Sequence, residues 1–355
     1  MVSVSGDYLD ILGTGFSKNN GAGPAEVAIR TDFIVERAAK RQRRMDLASI
    51  ERSVVELAVL NAIRGIVYDV QRAFVDVQAA RDSLDLARRN LEYLNGIVTV
   101  NEARVNSGDL AQVELVRSQV AALQFRNAVQ QGELRLTQAK NQLRLLTGRG
   151  DAADFDVTGD MRRDLAAPSV DDLRDQATKN RPDLLGLQKS QARSVTDLRL
   201  QLAYGKIGYT IGTQFHRQQS VSGTGSSMGF FFSFHQPVYN RNQGEIERAR
   251  REQTLWDARI KAIQARIANE VTGAWQQYTT SNRLLDGIEQ NMLSKAREVR
   301  DTTEYSYRRG EATLVEFLDA QRAFNDTMQS YNEARADHAR SLYLIDSIVG
   351  RSVNP

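Results

Sequence analysis

The sequence contains no cysteine, which excludes disulfides, thiolate metal sites, cysteine nucleophiles and lipidated cysteines. Histidine is also scarce. The three copies, His216, His235 and His338, lie far apart and could form a metal or catalytic cluster only if folding gathered them. No phosphate loop, nucleophile elbow or metal-ligand spacing is visible. We therefore expect a protein that is not an enzyme and that holds no cofactor or metal.

Long apolar runs are missing as well. No stretch reaches the roughly 20 apolar residues that a transmembrane helix needs. The first residues, Met1 to Gly6, lack the charged and apolar regions of a signal peptide. The net charge is only +3, because 47 basic residues nearly balance 44 acidic ones, so attraction to nucleic acid is not indicated.

Proline, which breaks helix interiors, occurs only five times, at positions 24, 168, 182, 237 and 355. The two long tracts without it are rich in Ala, Leu, Arg, Glu and Gln, which predicts two very long helical segments. Near the middle of each tract stands a glycine, Gly108 or Gly310, which suits the left-handed turn after a helix end. Each tract therefore predicts a long helical hairpin with a glycine at its tip.

The two tracts repeat each other. Gly148 follows Gly108 at the same distance at which Gly350 follows Gly310, and residues 70–74 resemble residues 271–275. So long a period indicates duplication of a structural half rather than a short solenoid repeat.

The returning helix of each half also carries a seven-residue repeat, which drives supercoiled packing. The helices alone favour a soluble antiparallel coiled coil, and His338 in this repeat is interpreted as a packed or hydrogen-bonded core residue. The first seam consists of Phe317, Phe324, Tyr331, His338 and Ile345 in the second half and Leu115, Ala122, Val129, Leu136 and Leu143 in the first. The second seam consists of Ala320, Thr327, Ala334, Ser341 and Ile348, with Ser118, Phe125, Gly132, Ala139 and Leu146 in the first half.

Two stretches alternate with a period of two instead, which predicts β-hairpins. The second-half hairpin runs from Ile207 to His216 and from Met228 to His235, with a Ser/Gly-rich loop over residues 220–227. The first-half hairpin is more polar, with strands over residues 8–16 and 27–34. The candidate lipid-facing side chains of the second hairpin are Ile207, Tyr209, Ile211, Phe215, Phe230, Phe232 and Phe234.

Four strands with an apolar face and open edges cannot sit in lipid, because unpaired backbone groups there cost several kcal/mol each. Three copies of the chain would supply twelve strands and close the sheet into a membrane barrel. The alternative is a small soluble hairpin packed on a helix bundle, although no spare segment is available to cover its aromatic face.

Several motifs, in their order along the chain, resemble those of the TolC-like outer membrane factors, or outer membrane efflux proteins. The similarity is greatest to the branch paired with heavy-metal and drug efflux pumps. Members of this family normally carry a signal peptide and a further long helix before the first strand, so we expect the sequence to be truncated at its N-terminus. The motifs are residues 180–184 (NRPDL), 236–246, 307–314 with 317–322, and 104–110.

The resemblance implies a homotrimer in the outer membrane that extends into the periplasm as a helical tunnel. It also implies contact with a periplasmic membrane-fusion adaptor and, indirectly or through the tips, with an inner-membrane pump. The expected function is a passive exit duct of a tripartite efflux system. A duct of a type I protein secretion system and a soluble coiled-coil scaffold are the alternatives. By carry-over, the adaptor-contacting tips are Gly108, Asp109, Leu110, Gly310, Thr313 and Leu314, and the pore-gate candidates are Arg104, Asp109, Arg308, Arg309 and Glu311.

The expected fold is therefore mainly α, with long helical hairpins and two β-hairpins that give four strands per chain. The band around the tunnel's middle contains a helix start at residues 168–173, with Ser169 as the cap. The predicted segments are 1–35 (first β-hairpin), 36–148 (first helical hairpin), 149–205 (equatorial segment and connecting helix), 206–237 (second β-hairpin), 238–350 (second helical hairpin) and 351–355 (tail).

Overall fold

The computed structural model describes residues 1–7, 25–150, 154–164, 169–220, 223–235 and 238–351. The fold is mainly α with one small antiparallel sheet, as the sequence predicts. Two compact units are formed, residues 1–56 with 186–261 and residues 57–185 with 262–355. The strands are β1 (Val2–Asp7), β2 (Ala25–Val35), β3 (Gly208–Ser220) and β4 (Gly223–His235). The helices are α1 (Lys40–Asn106), α2 (Gln112–Leu146), α3 (Val170–Asn180), α4 (Pro182–Tyr204), α5 (Gln243–Gly287), α6 (Leu293–Arg309) and α7 (Leu314–Val349).

The long helices follow from the missing prolines. Helix α1 continues for 67 residues, and both predicted tip glycines adopt the left-handed conformation, with φ of 82° at Gly108 and 81° at Gly310. The second tract differs from the prediction in one respect: a π-helical turn over Ile288–Met292 separates α5 from α6. None of the helices in the described ranges is long and apolar enough to cross a membrane.

The strand order is β1-β2-β3-β4, with every neighbouring pair antiparallel, so the two predicted hairpins share one sheet. The predicted strand over residues 8–16 lies outside the described residues, and the strand that pairs with β2 is β1. The predicted loop over residues 220–227 was wrong, because residues 223–227 pair with β3 as part of β4. Backbone groups make this ladder, so small Ser and Gly side chains do not end it. Ser169 does precede α3, but its side chain makes no capping hydrogen bond.

The core of the second unit is built on two neighbouring faces of α1. Ala73 and Val77 pack with Leu143 of α2, whereas Val75 and Ala79 pack with α7. Residues four apart lie on the same helix face. Ala73 and Val77 therefore share one face of α1 and Val75 and Ala79 share another, so that α1 contacts two helices at once. Segment 154–164 closes both clusters, with Val157 in one and Met161 in the other.

The predicted seams largely match the buried positions. In α7, Phe317, Phe324, His338 and Ile345 are buried and Tyr331 is half-buried, whereas in α2 the seam residues Val129 and Leu136 are only half-buried. His338 is a packed core residue. Neither of its ring nitrogens has a hydrogen-bond partner among the described residues, and its ring lies 5.5 Å from that of Tyr278. Burial, and then the charge of Arg163, lowers the pKa of His338, so the buried ring is held neutral.

A close approach inside the sheet requires Gly212. A Cβ at this position would lie 2.1 Å from the Phe231 ring and 2.8 Å from the backbone oxygen of Thr31. The ring can shift, but the backbone oxygen belongs to the neighbouring strand and cannot move without disturbing the ladder.

We predict that Gly212→Ala lowers the unfolding free energy by about 1–3 kcal/mol, because overpacking forces neighbouring atoms apart. Thermal unfolding of the detergent-solubilised protein measures this. Gly229→Ala is the matched control, since Gly229 lies on the same face of the adjacent strand and its Cβ would meet only the Gln214 oxygen, at 4.0 Å. Equal melting temperatures for the two variants would contradict the prediction.

Candidate functional site

One face of the sheet is apolar along all four strands. Most of its side chains are exposed, and Phe230 is 78% exposed. A continuous exposed apolar surface is typical of a site that meets lipid or another protein. The strand register brings together Val2 and Val4 of β1; Val27, Ile29, Phe33 and Val35 of β2; Tyr209, Ile211 and Phe215 of β3; and Met228, Phe230, Phe232 and Phe234 of β4. Of the seven predicted lipid-facing residues, six share this face, and Ile207 lies just before β3.

The opposite face of the sheet carries the polar side chains. Glu26 accepts a hydrogen bond of 2.7 Å from Gln218 and lies 3.3 Å from His216. Arg30 forms an ion pair of 2.9 Å with Asp32, and its guanidinium group lies 3.9 Å from the centre of the Phe231 ring. The sheet is therefore two-sided, with an apolar face and a hydrogen-bonded polar face, which is the pattern of a wall between lipid and water.

The two outer strands of the sheet, β1 and β4, have a strand neighbour on one side only within the described residues. Unpaired strand edges offer backbone donors and acceptors to another strand. A two-sided sheet with two such edges can pair with further strands on either side.

The tips of the two helical hairpins form the second candidate site. The turn between α1 and α2 exposes Asp109, which accepts a hydrogen bond of 2.8 Å from the Ser107 hydroxyl. The turn between α6 and α7 exposes Glu311. Arg104 reaches from the first tip toward the second, since a Cβ at Gly310 would lie 3.6 Å from its Nη2. No ion pair joins the two tips within the part of the chain that the structure describes.

Thr313 and Leu314 differ in what they present at the second tip. Thr313 is exposed and starts α7 with a reciprocal capping box, in which it exchanges hydrogen bonds with Glu316. The backbone N–H of Thr313 and then its hydroxyl lower the pKa of Glu316. Leu314 is buried, so in this chain it supports the tip from within rather than facing outward. Arg308 and Arg309 are exposed; the first pairs with Glu304 at 2.6 Å and the second lies over Tyr305.

A buried hydrogen bond links the two tips. The Tyr307 hydroxyl of α6 donates to Oδ1 of Asn101 in α1 over 2.7 Å, and both residues are almost fully buried. The Tyr307 ring stacks on Phe317 at 5.2 Å, with the Arg104 guanidinium 6.0 Å from its centre. Around this contact, Leu94 and other apolar residues of α1, α2 and α7 form a cluster. Sequence reasoning did not single out this pair, and nothing in the surrounding residues marks Asn101 as different from the other polar positions of α1.

The model of the outer membrane efflux protein family matches residues 18–149 and 173–351 of the chain, which is most of its length. The chain belongs to this family. Membership of a family of outer membrane efflux proteins sets the soluble scaffold alternative aside. The predicted resemblance to the TolC-like outer membrane factors is confirmed.

Individual proteins with similar sequences or folds agree with this family assignment. The pyoverdine export outer membrane protein OpmQ of Pseudomonas putida is 23% identical over 300 residues, which cover 79% of this chain and 59% of OpmQ. The chain thus spans somewhat more than half the length of that relative. A membrane protein from Pseudomonas aeruginosa has a TM-score of 0.79 at 17% identity, and CusC has 0.79 at 16%. Each match covers 99% of this chain and 82% of the other.

Proposed function

We propose that this efflux protein is one subunit of a homotrimeric exit duct in the outer membrane. The observation that carries the proposal is the exposed apolar face that runs across all four strands of a sheet with two open edges. Backbone groups at such edges need partners in lipid, and further copies of the same sheet supply them. Three copies give a closed barrel of twelve strands with the polar face, including Glu26, Arg30 and His216, toward a water-filled interior.

The helical hairpins would continue this path into the periplasm, where their tips would meet a membrane-fusion adaptor linked to an inner-membrane pump. The tip residues that remain exposed, among them Gly108, Asp109, Gly310 and Thr313, are the proposed adaptor contacts. The duct would be passive, with energy supplied by the pump. The name of the P. putida relative favours export of a small molecule over the protein cargo of a type I secretion duct.

The test of the proposal is the oligomeric state of the protein extracted from outer membranes in mild detergent. Light scattering with correction for detergent should give the mass of three chains of 39.8 kDa each. A stable monomer in buffer without detergent, with Phe230 and Phe232 protected from solvent, would refute the proposal.

Opening of the duct is proposed to be a movement of the tips, limited by the buried contact between Asn101 and Tyr307. We predict that Tyr307→Phe raises the conductance of the purified channel in planar bilayers several-fold. The change removes a hydrogen bond worth about 0.5–1.5 kcal/mol and leaves the Asn101 oxygen without its partner. The ring and its stacking on Phe317 are kept.

Tyr305→Phe is the matched control. Tyr305 lies two residues before Tyr307 in α6, but its side chain is exposed and its ring contacts the guanidinium group of Arg309. Its conductance should equal that of the unmodified protein. The gate hypothesis fails if Tyr307→Phe conducts no more than Tyr305→Phe.

A further inference from the structure

A cavity of about 520 Å³ opens within the second unit, between α1, α6 and α7. Four arginines contribute to its lining: Arg89 of α1, Arg297 and Arg300 of α6, and Arg335 of α7. The lining contains a single carboxylate, Asp82, which lies 3.3 Å from Arg335. Guanidinium groups stay charged at every physiological pH. The four arginines and the one aspartate of the lining therefore carry a net charge of +3.

The positive charges are only partly neutralised by the rest of the chain. Arg300 pairs with its neighbour Asp301 at 2.5 Å, and Arg89 donates to the backbone oxygen of Asp85 at 3.2 Å. Arg297 makes no ion pair or hydrogen bond with any residue that the structure describes. Free guanidinium donors around a cavity suit a carboxylate or a phosphate, which accept two parallel hydrogen bonds from one arginine.

The floor of the cavity is made of buried amides. Gln321 is 2% exposed, and its Nε2 donates to Oδ1 of Asn90 at 3.2 Å, while its own Oε1 accepts no hydrogen bond. Asn332, which is 7% exposed, also lines the cavity, and its amide makes no hydrogen bond with a described residue, although its polar atoms are not among the fully buried ones. A fully buried polar atom without a partner, such as Oε1 of Gln321, is unfavourable. A ligand with hydroxyl groups would satisfy both the unpaired acceptor of Gln321 and the amide of Asn332.

We propose that this cavity binds a small organic anion that carries a hydroxyl group beside its carboxylate or phosphate groups. The arginines would hold the anionic groups, and the floor amides would hold the hydroxyl. Because the walls come from three helices, the ligand would link α6 to α1 and α7. The proposed binding of this anion does not depend on the proposed conduction of cargo.

The experiment is a titration of citrate, a hydroxycarboxylate, into the detergent-solubilised full chain at constant ionic strength, followed by calorimetry. We expect saturable binding of one citrate per chain. Arg297→Gln and Arg300→Gln should each weaken it by about tenfold, as expected for a lost charge-assisted hydrogen bond. Arg126→Gln, an equal change of charge at an exposed position of α2, should leave the affinity unchanged. Binding that is absent, or that Arg126→Gln weakens equally, overturns the proposal.

Asn332→Leu separates binding from folding. Since this amide has no partner in the described chain, replacing it with an apolar side chain should leave the melting temperature unchanged or raise it, yet weaken citrate binding severalfold. Tricarballylate, which is citrate without the hydroxyl, should bind more weakly than citrate. Inorganic phosphate as a third probe shows whether the arginines favour phosphate over carboxylate. Equal affinities for citrate and tricarballylate, or full citrate affinity in Asn332→Leu, would overturn the role of the floor.

Discussion

Phe230→Arg is expected to remove the protein almost completely from the outer membrane. Phe230 lies near the middle of β4 on the apolar face and is largely exposed in the single chain. An arginine on the lipid side of a barrel near the bilayer midplane costs about 2–4 kcal/mol. In the proposed homotrimer the cost is incurred three times, so even the lower figure gives about 6 kcal/mol, which is comparable with the whole stability of an ordinary domain.

Separation of inner and outer membranes, followed by chemical cross-linking of intact cells, measures the effect. The trimer band in the outer membrane fraction should fall below detection for Phe230→Arg. Ser233→Arg is the matched control: it adds the same charge to the same strand, but the register places Ser233 opposite Thr210 on the polar face. Its trimer should form in normal amount. Normal assembly of Phe230→Arg would show that the apolar face does not meet lipid.

The fold was largely predictable because its main signals are local. The missing prolines and the tip glycines, Gly108 and Gly310, predict the helical hairpins, and alternation around Tyr209 and Phe232 predicts the second β-hairpin. The strand β1 was not predicted, because Val2–Asp7 is short and its pairing with β2 depends on a register across the chain. Nor does any local pattern predict the π-helical turn at Ile288–Met292, which interrupts an otherwise helical sequence.

The candidate sites were predicted less completely, since contacts between distant residues decide them. The tip residues Asp109 and Glu311 could be named from motifs, but the hydrogen bond between Asn101 and Tyr307 joins residues 206 positions apart. Leu314 was named as an outward contact, and the helix geometry instead buries it.

The motif at residues 180–184 illustrates the same point, because its resemblance to the family gave no reason for its arginine. Arg181 is 2% exposed and bridges two acidic residues: it forms an ion pair with Asp183 at 2.6 Å and another with Glu270 of α5. Arg64 of α1 lies 3.8 Å from Asp183 and donates to the backbone oxygen of Ser347 at 2.9 Å. The bridge thus ties together α1, α4, α5 and α7 within the second unit.

Arg181→Met should therefore lower the unfolding free energy by about 3–5 kcal/mol, the usual effect of removing one partner from a buried ion pair. Chemical denaturation of the detergent-solubilised protein at pH 7 measures it. Arg266→Met is the control, because Arg266 contacts the same carboxylate, Glu270, at 2.6 Å but is exposed. An exposed pair contributes only about 0–1 kcal/mol. If the two variants lost similar amounts of unfolding free energy, burial of Arg181 would not be the reason for its contribution to stability.

The pH dependence of stability gives an independent check on this bridge. Burial alone would raise the pKa values of Asp183 and Glu270, but the hydrogen bonds and charge of Arg181 outweigh it, so both pKa values lie below their ordinary 3.8 and 4.5. A carboxyl group with a depressed pKa in the folded protein stabilises it above the unfolded pKa, and this stabilisation is lost as the pH falls through the folded pKa. As the pH falls below 4.5, the unfolding free energy of the unmodified protein should therefore decrease faster than that of Arg181→Met. The difference in unfolding free energy between the two proteins should become smaller. A difference that stays constant from neutral pH to well below 3.8 would mean that Arg181 acts through packing rather than through its two carboxylates.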